Sequence, residues 1–285
     1  MTKHLRAVAT LIVTAMVVLS AHAQEAVLVV EDSVTSKAVN AIMRLNVLLP
    51  PGYPASHERY PTLYLLHGFG GDQSDWVKRS GLVKYLRHEQ WIVVCPAAHN
   101  SWYANSADGK RLYEDYILNE LIPHVERKYR TLGTRHGRFI AGLSMGGYGA
   151  LKLALKYPSR FIFAGSFSGA LYVPVGFRAD NKEISESLAA AFGSEKSAHW
   201  TRNDLAALLD STANVGSLPY LYIAVGKDDA FERIVESNRR IVERLQQRGV
   251  LYEYHETPGG HTWQYWDKEL RPFLQRLRAF DPLSP

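Results

Sequence analysis

Apolar positions in this chain fall into short runs that alternate with longer segments of helical spacing. The runs at 63–66, 91–95, 139–141, 161–167 and 219–225 are the length of strands and carry almost no charge, as expected for strands covered on both faces. A sixth run, 251–255, continues the series. Between the runs, 75–88, 113–129, 148–155, 231–248 and 263–280 repeat their apolar residues at helical intervals. In the second of these, Tyr113, Tyr116, Ile117, Leu121 and Val125 lie on or near one face, and Pro123 predicts a kink. Strand and helix in alternation predict an α/β fold, a mostly parallel sheet with helices on both faces. Two earlier strand-rich stretches, 27–30 and 41–49, end at Pro50-Pro51-Gly52-Tyr53-Pro54 and predict an antiparallel entry to the sheet. Residues 171–203 have weak periodicity and read as an excursion with a short helix, either a small lid or a surface connection.

The N-terminus follows a different pattern. Lys3 and Arg6 precede an apolar run at 7–19, and Ala21-His22-Ala23 supplies a small-x-small cleavage site before Gln24. The run is shorter than the ~20 residues a membrane-spanning helix needs, so 1–23 reads as a cleaved signal peptide. The mature chain, 24–285, is then one domain exported to the periplasm or secreted, without stable membrane insertion. Its 285-residue precursor is 46% hydrophobic and 21% charged, enough to bury a large core. Formal charge is +5, falling to about +3 without Lys3 and Arg6. The basic residues are scattered among acids, which argues against a nucleic-acid partner. Cys95 is the single cysteine, so no internal disulfide can form, and its apolar surroundings predict burial.

The chemistry concentrates where strands end. Gly142-Leu143-Ser144-Met145-Gly146 matches G-x-S-x-G between a strand and a helix, the setting of a nucleophile elbow. Glycines there let strand and helix pass closely, and the turn holds Ser144 in a strained conformation with its hydroxyl exposed. A serine needs a base, and the base an orienting acid. His261, in the loop Pro258-Gly259-Gly260-His261, is the candidate base. Asp229 in Gly226-Lys227-Asp228-Asp229 is the candidate acid on its Gly-x-x-Asp placement, with Asp228 as the alternative. The N–H groups of Met145 and of Phe69, in His67-Gly68-Phe69-Gly70-Gly71, are candidates for an oxyanion hole. His67 is assigned a structural hydrogen bond, and His255 a structural place in its strand. Trp76, Trp102, Tyr103, Phe231 and Trp263 flank these motifs and are candidate pocket walls. Tyr265 and Trp266 are assigned to the core. No zinc motif, nucleotide fingerprint or cysteine-nucleophile signature occurs, so neither metal nor cofactor is expected.

Taken together, 65–71 with Trp76, 101–105, 113–116, 142–147, 226–229 and 260–263 resemble the esterase family of α/β-hydrolases. That family contains esterase D, S-formylglutathione hydrolases, tributyrin-type and feruloyl esterases, and mycolyltransferases. The resemblance spans nearly the whole mature chain. It implies an α/β-hydrolase fold and a Ser–His–Asp hydrolase without cofactor. The expectation is a carboxylesterase acting on a small-molecule ester with a small acyl or aromatic-acyl group, through a covalent acyl-enzyme. Acyl transfer and feruloyl or acetyl ester cleavage on plant polysaccharide are the alternatives. S-formylglutathione hydrolysis and noncatalytic binding fit less well with a signal peptide and an intact triad.

Overall fold

In the computed structural model the described residues are 26–173, 181–193 and 197–283. The signal peptide assigned to 1–23 lies outside them.

Hydrogen-bond pairing joins eight strands into one sheet, in the order β1-β2-β4-β3-β5-β6-β7-β8. The strands are β1 (Leu28–Ser36), β2 (Ala41–Leu49), β3 (Thr62–Leu66), β4 (Ile92–Pro96), β5 (Arg138–Leu143), β6 (Phe163–Phe167), β7 (Tyr220–Gly226) and β8 (Tyr252–Thr257). β1 pairs with β2 antiparallel, from Leu28 opposite Leu49 to Ser36 opposite Ala41, and β2 pairs with β4 antiparallel. From β4 onward every pairing is parallel. The antiparallel entry and the parallel body are both as the pattern of apolar runs predicts. After β3 the chain steps outward to β4, then returns to lay β5 on the opposite side of β3. The sheet order therefore reverses beside β3, and in such sheets ligands bind off the carboxyl ends of the strands at that reversal.

Alternating residues of the central strands feed two cores. Tyr64, Leu66 and Ile140 join a cluster with Ile117, Leu121, Met145, Leu151 and Leu245. Leu63, Leu65, Phe139 and Ala141 join Trp76, Leu82, Leu270 and Phe273 on the other face. The covering helices are α1 (Asp75–Arg79), α2 (Leu82–Tyr85), α3 (113–128), α4 (Met145–Lys156), α5 (Lys182–Phe192), α6 (Ala198–Thr201), α7 (Leu205–Ser211), α8 (Glu232–Arg248) and α9 (Trp263–Leu277). Pro123 follows a widened turn in α3. A π turn over Tyr116–Leu121 precedes it, in the segment where its ring would crowd the preceding turn and its missing N–H would leave a carbonyl unpaired. The excursion carries more helix than the single short one expected. α5 starts on Asn181, whose side chain accepts the Ile184 N–H, and packs Leu188 and Phe192 into the core.

No helix among the described residues is long and apolar enough to cross a membrane. Cys95 is buried in β4, and that burial pushes its thiol pKa up.

Candidate active site

β5 runs into Ser144, which sits at φ 53° and ψ −115°, a conformation a side chain adopts only under constraint. The constraint comes from both sides. Ser144 donates its N–H to Phe167 O at 2.9 Å, and its own carbonyl accepts from Tyr148 and Ala170. Close approach explains the flanking glycines. A Cβ on Gly146 would lie 2.5 Å from His67 O, and one on Gly142 would lie 2.5 Å from the Gly146 carbonyl. Any larger residue would push α4 away from the β3 and β5 ends.

β7 and β8 end beside this turn. Gly226 faces Gly259 so closely that a Cβ there would lie 2.2 Å from Gly259 O. The two loops are joined by Asp228, which is exposed, donates its N–H to Gly259 O and accepts the Gly259 N–H on its carboxylate. Asp229 points inward. Its side chain is fully buried, one carboxylate oxygen accepts the Phe231 N–H at 2.9 Å, and the other lies 2.8 Å from His261 Nδ1. His261 Nε2 lies 3.0 Å from Ser144 Oγ. Since Asp229 can only accept, His261 carries its proton on Nδ1, and Nε2 is left to receive one from the serine. The imidazole is held edge-on by Phe231 and by Trp266, each with ring centroids 4.9 Å away.

The β3 end supplies the facing wall. His67 is buried and donates Nδ1–H to the Gly68 carbonyl at 2.7 Å, while its Nε2 accepts the Ala98 N–H at 3.0 Å. Both ring nitrogens are thereby used, and burial lowers its pKa to about 4 despite the Gly68 contact. His67 is a neutral strut. Phe69 lines the cavity from the loop after β3, Met145 is the first residue of α4 with its side chain in the core, and neither N–H has a backbone acceptor among the described residues. The loop itself is pinned next door, where Gly70, at φ 74°, donates its N–H to Asn100 Oδ1 at 2.7 Å.

A cavity of about 490 Å³ opens over Ser144 and His261. Trp102, Phe231 and Trp263 line it, as their positions in the sequence suggest. Trp76 and Tyr103 do not, and their assignment as pocket walls is corrected. Both are fully buried, and each turns its polar atom onto a backbone carbonyl, Trp76 Nε1 to Leu66 O and Tyr103 OH to His67 O. Trp76 instead backs the pocket, edge-on to Trp263 at 5.2 Å. Trp266, assigned to the core, is buried yet lines the cavity, whereas Tyr265 stays in the core. His255 is structural as read, stacked on Tyr222 at 4.8 Å. Sequence reading missed Asp75, Arg79, Tyr172 and Ile184 among the lining residues. Asp75 and Arg79 carry a usable signal, four residues apart in the first helix after the Gly-rich loop. Tyr172 and Ile184 carry none.

Below the cavity a buried ionic group holds the Trp102 loop. Lys152 is fully buried and donates to Tyr103 O at 2.6 Å and to Glu114 at 2.7 Å, and Glu114 also receives Lys156 and the Tyr157 hydroxyl. Burial would raise the Glu114 carboxyl, but the two ammonium groups outweigh it and hold it down at about 2. The Tyr103 carbonyl that Lys152 holds belongs to a turn in which Trp102 and Tyr103 sit consecutively at φ 56° and 52°. No cluster of three or more potential metal ligands occurs among the described residues.

A family model described as "Putative esterase" matches residues 36–277. An acetyl esterase of Caldicellulosiruptor saccharolyticus is 32% identical over 217 residues, covering 74% of this chain and 80% of that protein. Among solved structures, the fluorophosphonate-binding serine hydrolase F of Staphylococcus aureus superposes with a TM-score of 0.80 at 27% identity, covering 88% of this chain and 98% of that one. A ferulic acid esterase superposes with a TM-score of 0.77 at 25% identity, over 90% of this chain and 98% of its own. These neighbours share the α/β-hydrolase fold.

Proposed function

The chain belongs to the "Putative esterase" family and is a serine carboxylic ester hydrolase, and from that premise we propose that Ser144, His261 and Asp229 carry the reaction through a covalent acyl-enzyme. The observation that supports this reading most is the unbroken line of short contacts, Ser144 Oγ to His261 Nε2 at 3.0 Å and His261 Nδ1 to Asp229 at 2.8 Å. Ser144 Oγ attacks the ester carbonyl as its proton passes to His261 Nε2, and Asp229 stabilises the imidazolium. The carbonyl electrons move onto oxygen, where the Phe69 and Met145 N–H groups receive the negative charge. Loss of one such donor typically costs ~3 kcal/mol of transition-state stabilisation. Collapse expels the alcohol, which takes the His261 proton. Water then gives a proton to His261, attacks the acyl carbon and releases the acid, and Ser144 regains its proton.

The substrate is an ester with a small acyl or aromatic-acyl group. Support comes from the apolar surfaces of Phe69, Trp102, Phe231 and Trp263 around about 490 Å³. Acetyl and feruloyl groups are the first candidates, since the similar proteins are named for them. Export to the periplasm or outside the cell is supported by the pattern of residues 1–23. To test the function, hydrolysis of p-nitrophenyl acetate and butyrate is compared between wild type and Ser144→Ala. Loss of turnover in the variant is expected, and similar rates in both proteins would refute the assignment.

A further inference from the structure

Asp75 and Arg79 both line the cavity that holds Ser144 and His261. They lie four residues apart in α1, the spacing at which opposite charges on a helix commonly pair. Here no ion pair within 4 Å joins them. Arg79 is exposed and lies over Trp263, its Cζ 5.0 Å from the ring centroid, at the rim of the same cavity. Asp75 is half-buried, with the Asp72 backbone amide beside it and no side-chain donor bonded to it among the described residues. Gly71 makes room for this carboxylate, since a Cβ there would lie 2.2 Å from Asp75 Oδ2.

A half-buried carboxylate that lines a binding cavity and accepts no side-chain donor can take a hydrogen bond from a ligand. Arg79 offers only donors and Asp75, when ionised, only acceptors. An alkyl chain satisfies neither group. A carboxylate or phosphate satisfies Arg79 but is repelled by Asp75. Two neighbouring hydroxyls satisfy both, one accepting from the guanidinium and one donating to the carboxylate. Position decides which half of the ester carries them. Trp263 follows His261 by two residues, and Trp266 packs edge-on against both rings, at 4.9 Å from His261 and 5.3 Å from Trp263. Arg79 is thus on the wall beside the base, and the departing alcohol must pass the base to receive its proton.

We propose that Asp75 and Arg79 form a subsite that reads a pair of neighbouring hydroxyl groups on the alcohol portion of the ester. The inference rests on the carboxylesterase function proposed above. It makes the preferred substrates esters of polyhydroxy alcohols rather than of simple alkanols.

The probes are glycerol 1-acetate and propyl acetate, which share the acyl group and a three-carbon alcohol and differ by two hydroxyls. The readout is the ratio of their kcat/KM values, which is independent of how much of a preparation is folded. Wild type should favour the glycerol ester by about tenfold or more, as expected for hydrogen bonds to charged groups. Arg79→Met and Asp75→Leu should each bring the ratio close to one, and Arg79→Lys should recover part of it. A wild-type ratio near one, or a ratio unchanged in both variants, overturns the subsite while leaving the esterase function intact. If wild type cleaves neither ester and matches Ser144→Ala on p-nitrophenyl acetate, the function fails and the subsite with it.

Discussion

Asp229 and His261 meet at 2.8 Å, and the same carboxylate is held from behind by the Phe231 N–H at 2.9 Å. Its neighbour Asp228 is turned to solvent and ties the β7 and β8 loops together. Adjacent aspartates therefore have separate jobs, which single substitutions can tell apart.

Asp229→Asn keeps the shape but offers an N–H where His261 needs an acceptor, so the imidazole loses its tautomer. We expect kcat for p-nitrophenyl butyrate to fall by about four orders of magnitude. Asp228→Asn should stay within roughly threefold of wild type, because it perturbs a surface turn whose backbone bonds remain. Equal losses in the two variants would reverse the assignment.

Asn100 holds the proposed oxyanion loop from outside the residues that line the cavity. Its Oδ1 accepts the Gly70 N–H, and its Nδ2 reaches Glu183 on α5 at 3.1 Å. Asn100→Ala should loosen the Phe69 N–H and lower kcat by about tenfold, with KM changed less than about twofold, a smaller effect than deleting a donor outright. Steady-state kinetics with one activated ester separates the two parameters.

Glu114→Gln leaves the Lys152 ammonium buried without its counter-charge. A loss of about 3–5 kcal/mol in denaturant unfolding is expected, as for other broken buried pairs. Adding Lys152→Met should restore much of it, and strict additivity of the two changes would argue against a coupled pair.

Acid should weaken the fold through His67 before it touches the carboxylates. Its folded pKa is lowered by burial from 6.5 to about 4. Above pH 6.5 neither state binds the proton. As pH falls from 6.5 to 4 the unfolded chain takes it up and the folded chain does not, so stability is lost across that window. The group's full contribution is about 3 kcal/mol. Unfolding free energies between pH 8 and pH 4 should show this slope, and a flat profile would contradict it.

The strand ends were legible because their chemistry constrains residue type. A Cβ at Gly142 or Gly146 would collide with backbone, and a serine, an acid and a histidine stand in that order at three strand ends within hydrogen-bond reach of one another. Side-chain direction was not legible. Trp76 and Trp263 both lie beside motifs and read alike, yet Trp76 is locked inward by Leu66 O while Trp263 faces the cavity. For Trp266 the helical period identified the buried face of α9 correctly, but a buried face can still end at a pocket. Tyr172 and Ile184 reach the cavity through the excursion, whose placement depends on contacts such as Trp102 Nε1 to Ser187 Oγ that no local pattern encodes.

Cys95 gives the protein a practical property. As the sole thiol, sealed inside β4 with its ionisation suppressed, it offers no handle to thiol reagents while the chain is folded. A cysteine introduced at exposed Phe231, beside the His261 ring, would then be the single reactive sulfur. One fluorophore placed there would report events at the mouth of the cavity, and Cys95 itself, reacting only when the sheet opens, would time global unfolding.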